Sequence, residues 1–370
     1  MTGAVARMAA WRAHAYGGVS ELRLESARVP PLRSADELLV RVGAASLNPI
    51  DLAMLDGYGS RILNTLRRLE GADVEFPIVP GRDFSGIVVR AGRTARLKPG
   101  TRVWGVIPPH RPGALAQYVA VPSRWVGPAP DTLDPLSAAG ALYAGLTAAS
   151  LLRAGGLSGI AARGARVLLL GLGGVGAIAL QLLAYGGAHV VVSCAAEQAD
   201  EARSLGAVAA FDRHESDYEK QVTARGPFDA VLDCGGIGGW AAAEVANRWR
   251  FSRYVTLTTP LLSECDSRGL LLGSAVALGA LSAQTLGAVR GSLAQNATGL
   301  SQSEALCPPH VRWAFFTPNA ADIEMLRRLA DRGKLRVTVE RVFGWRDAPA
   351  AFATLARGHA RGKLLLDLER

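Results

Sequence analysis

The sequence predicts an α/β protein: a doubly wound parallel sheet in the second half of the chain and a small irregular β-barrel in the first. Three observations carry this expectation. The apolar run Val167-Leu168-Leu169-Leu170 ends in Gly171-Leu172-Gly173-Gly174-Val175-Gly176 and leads into a second apolar run, the pattern of a buried strand, a tight turn and a helix start. Beyond it, short apolar strands alternate with helical segments, which is the rhythm of βαβ units. Ahead of it, from about residue 9 to 135, short alternating runs are broken by glycine and proline, as in an antiparallel barrel.

The glycines have separate tasks. Gly171 allows the turn, Gly173 lets the backbone approach a pyrophosphate, and Gly176 lets helix and strand pack closely. The first-turn amides then face the phosphates with the positive end of the helix dipole behind them. The next strand, His189–Cys194, runs into Ala195-Ala196, without the carboxylate that would bind a ribose 2′-hydroxyl and repel a 2′-phosphate. NADPH is therefore the expected cofactor. Arg203 on the following helix and Arg213 after the strand Val208–Phe211 are the candidate phosphate partners. Glu197 is the first acid there, and would serve NADH if the strand ran further. The strands Phe228–Cys234 and Arg253–Leu257, with helices over Gln198–Leu205 and Gly239–Trp249, complete the alternation. Ligands bind at the carboxyl ends of such strands, so Cys234, Gly235, Thr256 and Leu257 should border the cofactor.

In the first half, Glu37–Val42, Gly86–Arg90 and Thr101–Val106 read as barrel strands. Beyond Pro309, a helix (Ala321–Arg332), a strand (Leu335–Val342), a helix (Ala348–Leu355) and a terminal strand (Gly362–Leu368) look like a return to the first domain. The expected division is a barrel domain over 9–138, a nucleotide domain over 139–308 and the return over 309–370. A cleft between the domains is the default active site.

Composition narrows the class. The 370 residues are 49% hydrophobic and 20% charged with net charge +9, which suits an ordinary globular enzyme that attracts anions. No basic run is interleaved with aromatics, so nucleic acid is not an expected partner. None of the four cysteines forms C-x-x-C, which argues against a structural zinc lobe and for a reducing compartment. Gly269–Val289 is long enough to span a bilayer, but Ser274, Ser282, Gln284 and Thr285 favour a buried segment or a subunit interface. The first eight residues carry Arg7 and no acid, too little for a clear presequence.

The motifs Asn48-Pro49-Ile50-Asp51, Gly81-Arg82-Asp83-Phe84-Ser85-Gly86, Lys98-Pro99-Gly100, Leu146-Thr147-Ala148 and the glycine loop resemble those of the zinc-free quinone oxidoreductase branch of the medium-chain dehydrogenase/reductase superfamily. Gly57-Tyr58-Gly59, Glu75-Phe76-Pro77, Arg312-Trp313-Ala314-Phe315-Phe316 and Arg357–Lys363 narrow the resemblance to its mitochondrial, reticulon-interacting members. The resemblance implies a Rossmann domain beside a GroES-like barrel and NADPH-dependent hydride transfer to a quinone. It also implies a mitochondrial matrix location with a link to coenzyme Q biosynthesis, a reticulon-type membrane protein as partner, and a homodimer. Cytoplasmic residence is the alternative location. Cofactor contacts implied in the same way are Gly174, Val175, Gly176, Ala177, Gly235, Leu257, Ala314, Phe316, His359, Ala360 and Arg361. The chain departs from the pattern at its shorter glycine loop, at Ala195 in place of a serine and at Arg213 in place of a tyrosine.

A zinc dehydrogenase needs Cys and His where this chain has Asn48 and Arg82, so no metal is expected. Hydride acceptance then relies on hydrogen-bond donors. The candidates are Asn48, Asp51, Tyr58 and Tyr143. Each has a structural alternative: Asp51 as a helix cap or arginine partner, Asn48 as a turn residue. Enone or enoyl-thioester reduction is the alternative chemistry, and an NADPH-binding scaffold the alternative class.

Overall fold

The computed structural model describes residues 6–71, 75–297, 308–358 and 361–370. It forms two compact units, Met1–Leu146 with Pro318–Arg370, and Thr147–Thr317. In the first, β1 (Arg7–Ala13) and β2 (Leu22–Arg28) pair antiparallel. There follow β3 (Glu37–Leu47), α1 (Pro49–Leu55), α2 (Ser60–Leu69), β4 (Asp83–Ala91), β5 (Arg102–Val106), β6 (Tyr118–Pro122) and β7 (Val126–Pro128). Helix α3 (Pro135–Ala154) contains the point where the units divide.

The second unit contains β8 (Arg166–Leu170), α4 (Gly174–Tyr185), β9 (His189–Cys194), α5 (Ala199–Ser204), β10 (Ala209–Asp212) and α6 (Tyr218–Thr223). It continues with β11 (Phe228–Asp233), α7 (Ala242–Arg248), β12 (Phe251–Thr256), α8 (Leu261–Arg268), α9 (Leu270–Ala297) and β13 (His310–Trp313). The chain then adds α10 (Ala320–Asp331), β14 (Val339–Gly344), α11 (Ala348–Ala356) and β15 (Lys363–Asp367) to the first unit.

β3 organises the barrel. It is buried along almost its whole length, Arg41 being the exposed exception. Its first half pairs with β6, its second half with β15, and its other edge with β4. Irregularities at 39/40 and 42/44 in the β3–β4 ladder let the sheet curl. Leu38, Val40, Phe84, Val103, Leu115 and Phe352 fill the interior.

The six strands of the second unit lie in the order β10-β9-β8-β11-β12-β13, all parallel. The central runs Val167–Leu170 and Ala230–Leu232 are buried on both faces, as strands covered by helices on both sides must be. The order reverses between β8 and β11, and their carboxyl ends therefore diverge into two loops beside each other.

Three expectations are corrected here. His310–Trp313 does not return to the barrel: it extends the parallel sheet beside β12, with Arg253 opposite His310 and Thr256 opposite Trp313. Its alternation, buried Val311 between more open neighbours, is what an edge strand needs. The strand expected at Leu335–Val342 is Val339–Gly344, because pairing with β15 begins only at Val339 opposite Lys363. The first alternative for Gly269–Val289, a buried segment, fails: residues 270–289 lie in the 28-residue helix α9, whose Leu271 is 92% exposed. Of the two described helices long and apolar enough to cross a membrane, Pro135–Ala154 is largely buried and Leu270–Gln295 largely exposed.

Helix α10 offers a pH test. Hydrogen bonds from Arg327 and Arg328 hold the Glu324 carboxyl down at about 2, against an ordinary 4.5. A depressed carboxyl stabilises the fold above its unfolded value, and that stability is lost as pH falls from about 4.5 towards about 2. Glu324→Gln should remove this acid-dependent part, seen as a shallower fall of the thermal midpoint over that window.

Candidate active site

The second unit presents a phosphate cradle at the β8–β11 switch point. Gly171 takes φ +93°, a conformation open to glycine. A Cβ on Gly171 would come 2.9 Å from Gly235, and one on Gly176 would come 2.2 Å from the Gly171 carbonyl. Gly173 is the extended residue before α4, and its carbonyl accepts from Ala177 N. The amides of Gly174, Val175 and Gly176 begin the helix, where no intrahelical acceptor is available. The first turn of α4 carries no acid, so nothing offsets the dipole there. These features fit a pyrophosphate.

Two residues that the sequence reading missed hold this cradle. Gln198 Nε2 donates to the Leu172 carbonyl at 2.9 Å. Asp233, fully buried at the end of β11, accepts from the amides of Gly235, Ile237 and Gly238 and from Thr256 Oγ1. Three backbone amides on one carboxylate fix the course of the 235–238 loop. The signal available in the sequence was an acid followed directly by Cys-Gly-Gly at a strand end.

A cavity of about 450 Å³ opens from this cradle and is lined by Leu170, Gly171, Ser193, Arg213, Tyr218 and Gly235 among others. Arg213 reaches it because its amide donates to the Cys194 carbonyl at 3.4 Å, which places it beside the end of β9. Ala195 is half-buried there, and Glu197 lies exposed on the following turn. Two acids of the lining, Glu219 and Glu244, are paired with Arg248. Arg203 does not line the cavity; it bonds Asp200 Oδ1 at 2.7 Å and the Ala210 carbonyl at 3.5 Å. Leu257 and Ala314 follow β12 and β13 at the same edge of the sheet, Ala314 N donating to the Thr256 carbonyl. Phe316 is half-buried, while Phe315 is 47% exposed. Burial pushes the Cys234 thiol up.

The first unit gathers a different constellation. Asn48, Asp51, Arg82, Asp83 and Lys363 are all buried. Asp51 Oδ1 accepts from Gly81 N at 2.7 Å and Arg82 Nε at 3.2 Å, and Oδ2 accepts from Asn48 N at 2.9 Å. Asp51 thus caps α1 and neutralises Arg82, whose remaining N–H groups go to the carbonyls of Val79, Pro108, Pro109 and Arg111. Asp83 Oδ1 accepts from Ser46 Oγ and Asn48 Nδ2, and its Oδ2 accepts from Tyr143 N. Lys363 Nζ lies 4.0 Å from Asp83 and donates to Asn48 Oδ1 at 2.6 Å. Burial raises both carboxyls and lowers Lys363, against the pull of the opposite charges.

The two positions read as replaced zinc ligands, Asn48 and Arg82, are thus joined through Asp51, which accepts from the Asn48 backbone amide and from Arg82 Nε. Among the described residues no group of three or more His, Cys, Asp or Glu could hold a metal. Tyr143, on α3, has its hydroxyl pushed up by burial first and by Asp51 second, so it stays protonated at neutral pH. Arg361 is exposed, and its amide donates to Glu340. His359 and Ala360 lie outside the described residues.

Removing one member of a buried pair strands the other charge, at about 3–5 kcal/mol. Asp51→Leu and Arg82→Met should each lower the urea midpoint by that equivalent. The double variant should recover a large part of the loss, read as a non-additive double-mutant cycle.

Known proteins resemble this chain throughout. Residues 34–131 match the model for the alcohol dehydrogenase GroES-like domain, and residues 205–366 the model for zinc-binding dehydrogenases. A Drosophila melanogaster protein named NAD(P)H oxidoreductase RTN4IP1, mitochondrial, is 38% identical, covering 98% of this chain and 86% of the relative. The trans-enoyl reductase pgmF of Aspergillus terreus is 30% identical, covering 90% of this chain and 87% of that one. The quinone oxidoreductase structure from Coxiella burnetii superposes with TM-score 0.76 at 25% identity, covering 98% of this chain and 100% of that chain. With its glycine cradle, its parallel sheet and these relatives, the chain belongs to the medium-chain dehydrogenase/reductase superfamily, among the NAD(P)H oxidoreductases.

Proposed function

We propose that this oxidoreductase uses NADPH to reduce a quinone, without a zinc ion. The observation that carries the reading is the pairing of an open phosphate cradle with a guanidinium, Arg82, where a metal ligand would otherwise stand. When bound, the nicotinamide supplies a hydride to the acceptor. The chain supplies the remainder. Gly173, Gly174, Val175 and Gly176 are assigned to hold the pyrophosphate with backbone amides, Ala177 closes the turn behind them through its own bond to the Gly173 carbonyl, and Gly235 leaves room for the ligand. Arg213 is the partner assigned to the 2′-phosphate; Arg203, already engaged with Asp200, is not. Leu257, Ala314 and Phe316 are assigned to the nicotinamide end, with Arg361 as a second cofactor contact.

Asn48 has two amide hydrogens and gives one to Asp83. The other is assigned to the acceptor oxygen, where it stabilises charge as hydride arrives. Tyr143 is assigned as the proton donor to that oxygen, and water restores its proton. Asp51 is reassigned from catalysis to positioning, because each of its oxygens is already bonded. The enone alternative is supported by the Aspergillus terreus trans-enoyl reductase. A mitochondrial setting, with ubiquinone metabolism as its context and a reticulon-type membrane protein as partner, rests on the resemblance and on the name of the Drosophila relative.

Nicotinamide absorbance with soluble quinones and enones as competing acceptors tests the reaction; NADPH oxidation with neither would overturn the proposal. In fluorescence titrations Arg213→Ser should weaken NADPH about tenfold or more and leave NADH nearly unchanged, the loss of one charge-assisted contact. Gly176→Ala should abolish binding of both carriers, since its Cβ has no space beside the Gly171 carbonyl.

A further inference from the structure

Lys363 is a buried cation to which the proposed reaction gives no part. It opens β15, and only 5% of it is exposed. A lysine is almost never buried to that degree without a partner. Two features of the barrel unit put it there. Leu364 pairs antiparallel with Leu47 of β3, so one step outward along each strand brings Lys363 opposite Asn48. Helix α3 covers its stem at Gly140, where a Cβ would come 3.5 Å from the Lys363 Cβ.

The ammonium group makes its hydrogen bonds to the Leu47–Asn48 step, at 2.6 Å to Asn48 Oδ1 and 3.4 Å to the Leu47 carbonyl. Asp83 Oδ2 lies 4.0 Å away, beyond hydrogen-bond distance. A lysine kept only to balance Asp83 would place its ammonium on the carboxylate. Instead Asp83 accepts from Ser46 Oγ, Asn48 Nδ2 and the Tyr143 amide, and the short bond from Lys363 goes to a neutral amide oxygen. A carboxylate only accepts and an ammonium only donates. Between them the Asn48 amide has one satisfied orientation, Nδ2 towards Asp83 and Oδ1 towards Lys363. Flipped, it would set oxygen against oxygen and N–H against N–H. The backbone amide of Asn48 is fixed as well, by Asp51 Oδ2 at 2.9 Å.

On the assignment of Asn48 to the acceptor oxygen, we propose that Lys363 is a positioning residue for hydride acceptance. It acts through Asn48 in two ways. It locks the amide against flipping, so that the second hydrogen on Nδ2 keeps its direction. It also draws electron density towards Oδ1, which makes the opposite N–H a stronger donor as negative charge develops on the acceptor. No proton leaves Lys363 in this role. A counter-ion for Asp83 would do neither, and the two roles separate in kinetics.

Steady-state rates with NADPH and a soluble quinone, beside a fluorescence titration of NADPH, make the test. Lys363→Met keeps the stem and removes the ammonium. It should lower kcat about tenfold, the loss of one hydrogen bond to a charged group. The quinone KM and the NADPH titration should stay within about twofold of wild type, because the interaction strengthens only as charge develops. Asn48→Ala should lower kcat about a hundredfold. Adding Lys363→Met to it should slow the enzyme no further, since the lysine then has no amide to act on. Should Lys363→Met fail to fold, the pair Asp83→Asn with Lys363→Met leaves no stranded charge and takes its place, with a fall in kcat of the same order expected. Wild-type kcat in Lys363→Met, or in that pair, would overturn the proposal and leave the lysine a counter-ion alone. So would losses that multiply in the Asn48→Ala background, which would make Lys363 independent of Asn48. Asn48→Ala at wild-type kcat would instead remove the assignment of Asn48 to the acceptor, and the role of Lys363 with it.

Discussion

The carboxylate of Asp233 is the constraint on which the nucleotide unit depends. It sits at the end of a central strand, fully buried, and spends its acceptor capacity on the loop that follows and on Thr256 of the neighbouring strand. Because that loop is held down, Gly235 passes close to Gly171, and the two chain reversals at the switch point share a space that side chains would fill. The glycines supply the room, and Asp233 keeps it from closing.

The barrel unit solves a different problem with similar means. Charges at Asp51, Arg82, Asp83 and Lys363 are all withdrawn from water, which is costly unless each finds partners. They do so in two linked groups joined at Asn48, whose amide nitrogen of the backbone serves Asp51 and whose side chain serves Asp83 and Lys363. Arg82 meanwhile stitches four carbonyls between Val79 and Arg111 into one arrangement. In the proposed chemistry the network's value is orientation: it holds one amide hydrogen of Asn48 in a fixed direction.

The glycine loop, β9 and β11 were legible in the sequence because their information is local: an apolar run, a turn and a helix start lie within a dozen residues. The partners of Asn48 were not, because Asp83 and Lys363 are 35 and 315 positions away. Gln198 was hidden for the same reason, since a glutamine on a turn gives no sign of the carbonyl it will meet. Arg203 and Arg213 looked equivalent as isolated cations. Only the cavity lining and the competing Asp200 separate them. The exposure of helix α9 was not legible because an apolar helix of small residues has the composition of a core element, and composition does not say which side is covered.

The bond between Lys363 and Asn48 has a consequence for how the protein is made. One end of it is Asn48 and the other lies in β15, 315 positions further along. Until Lys363 has been made, the barrel therefore holds Asp83 without its cation. Removal of β15 would leave a chain able to form its nucleotide unit but not to complete this pocket.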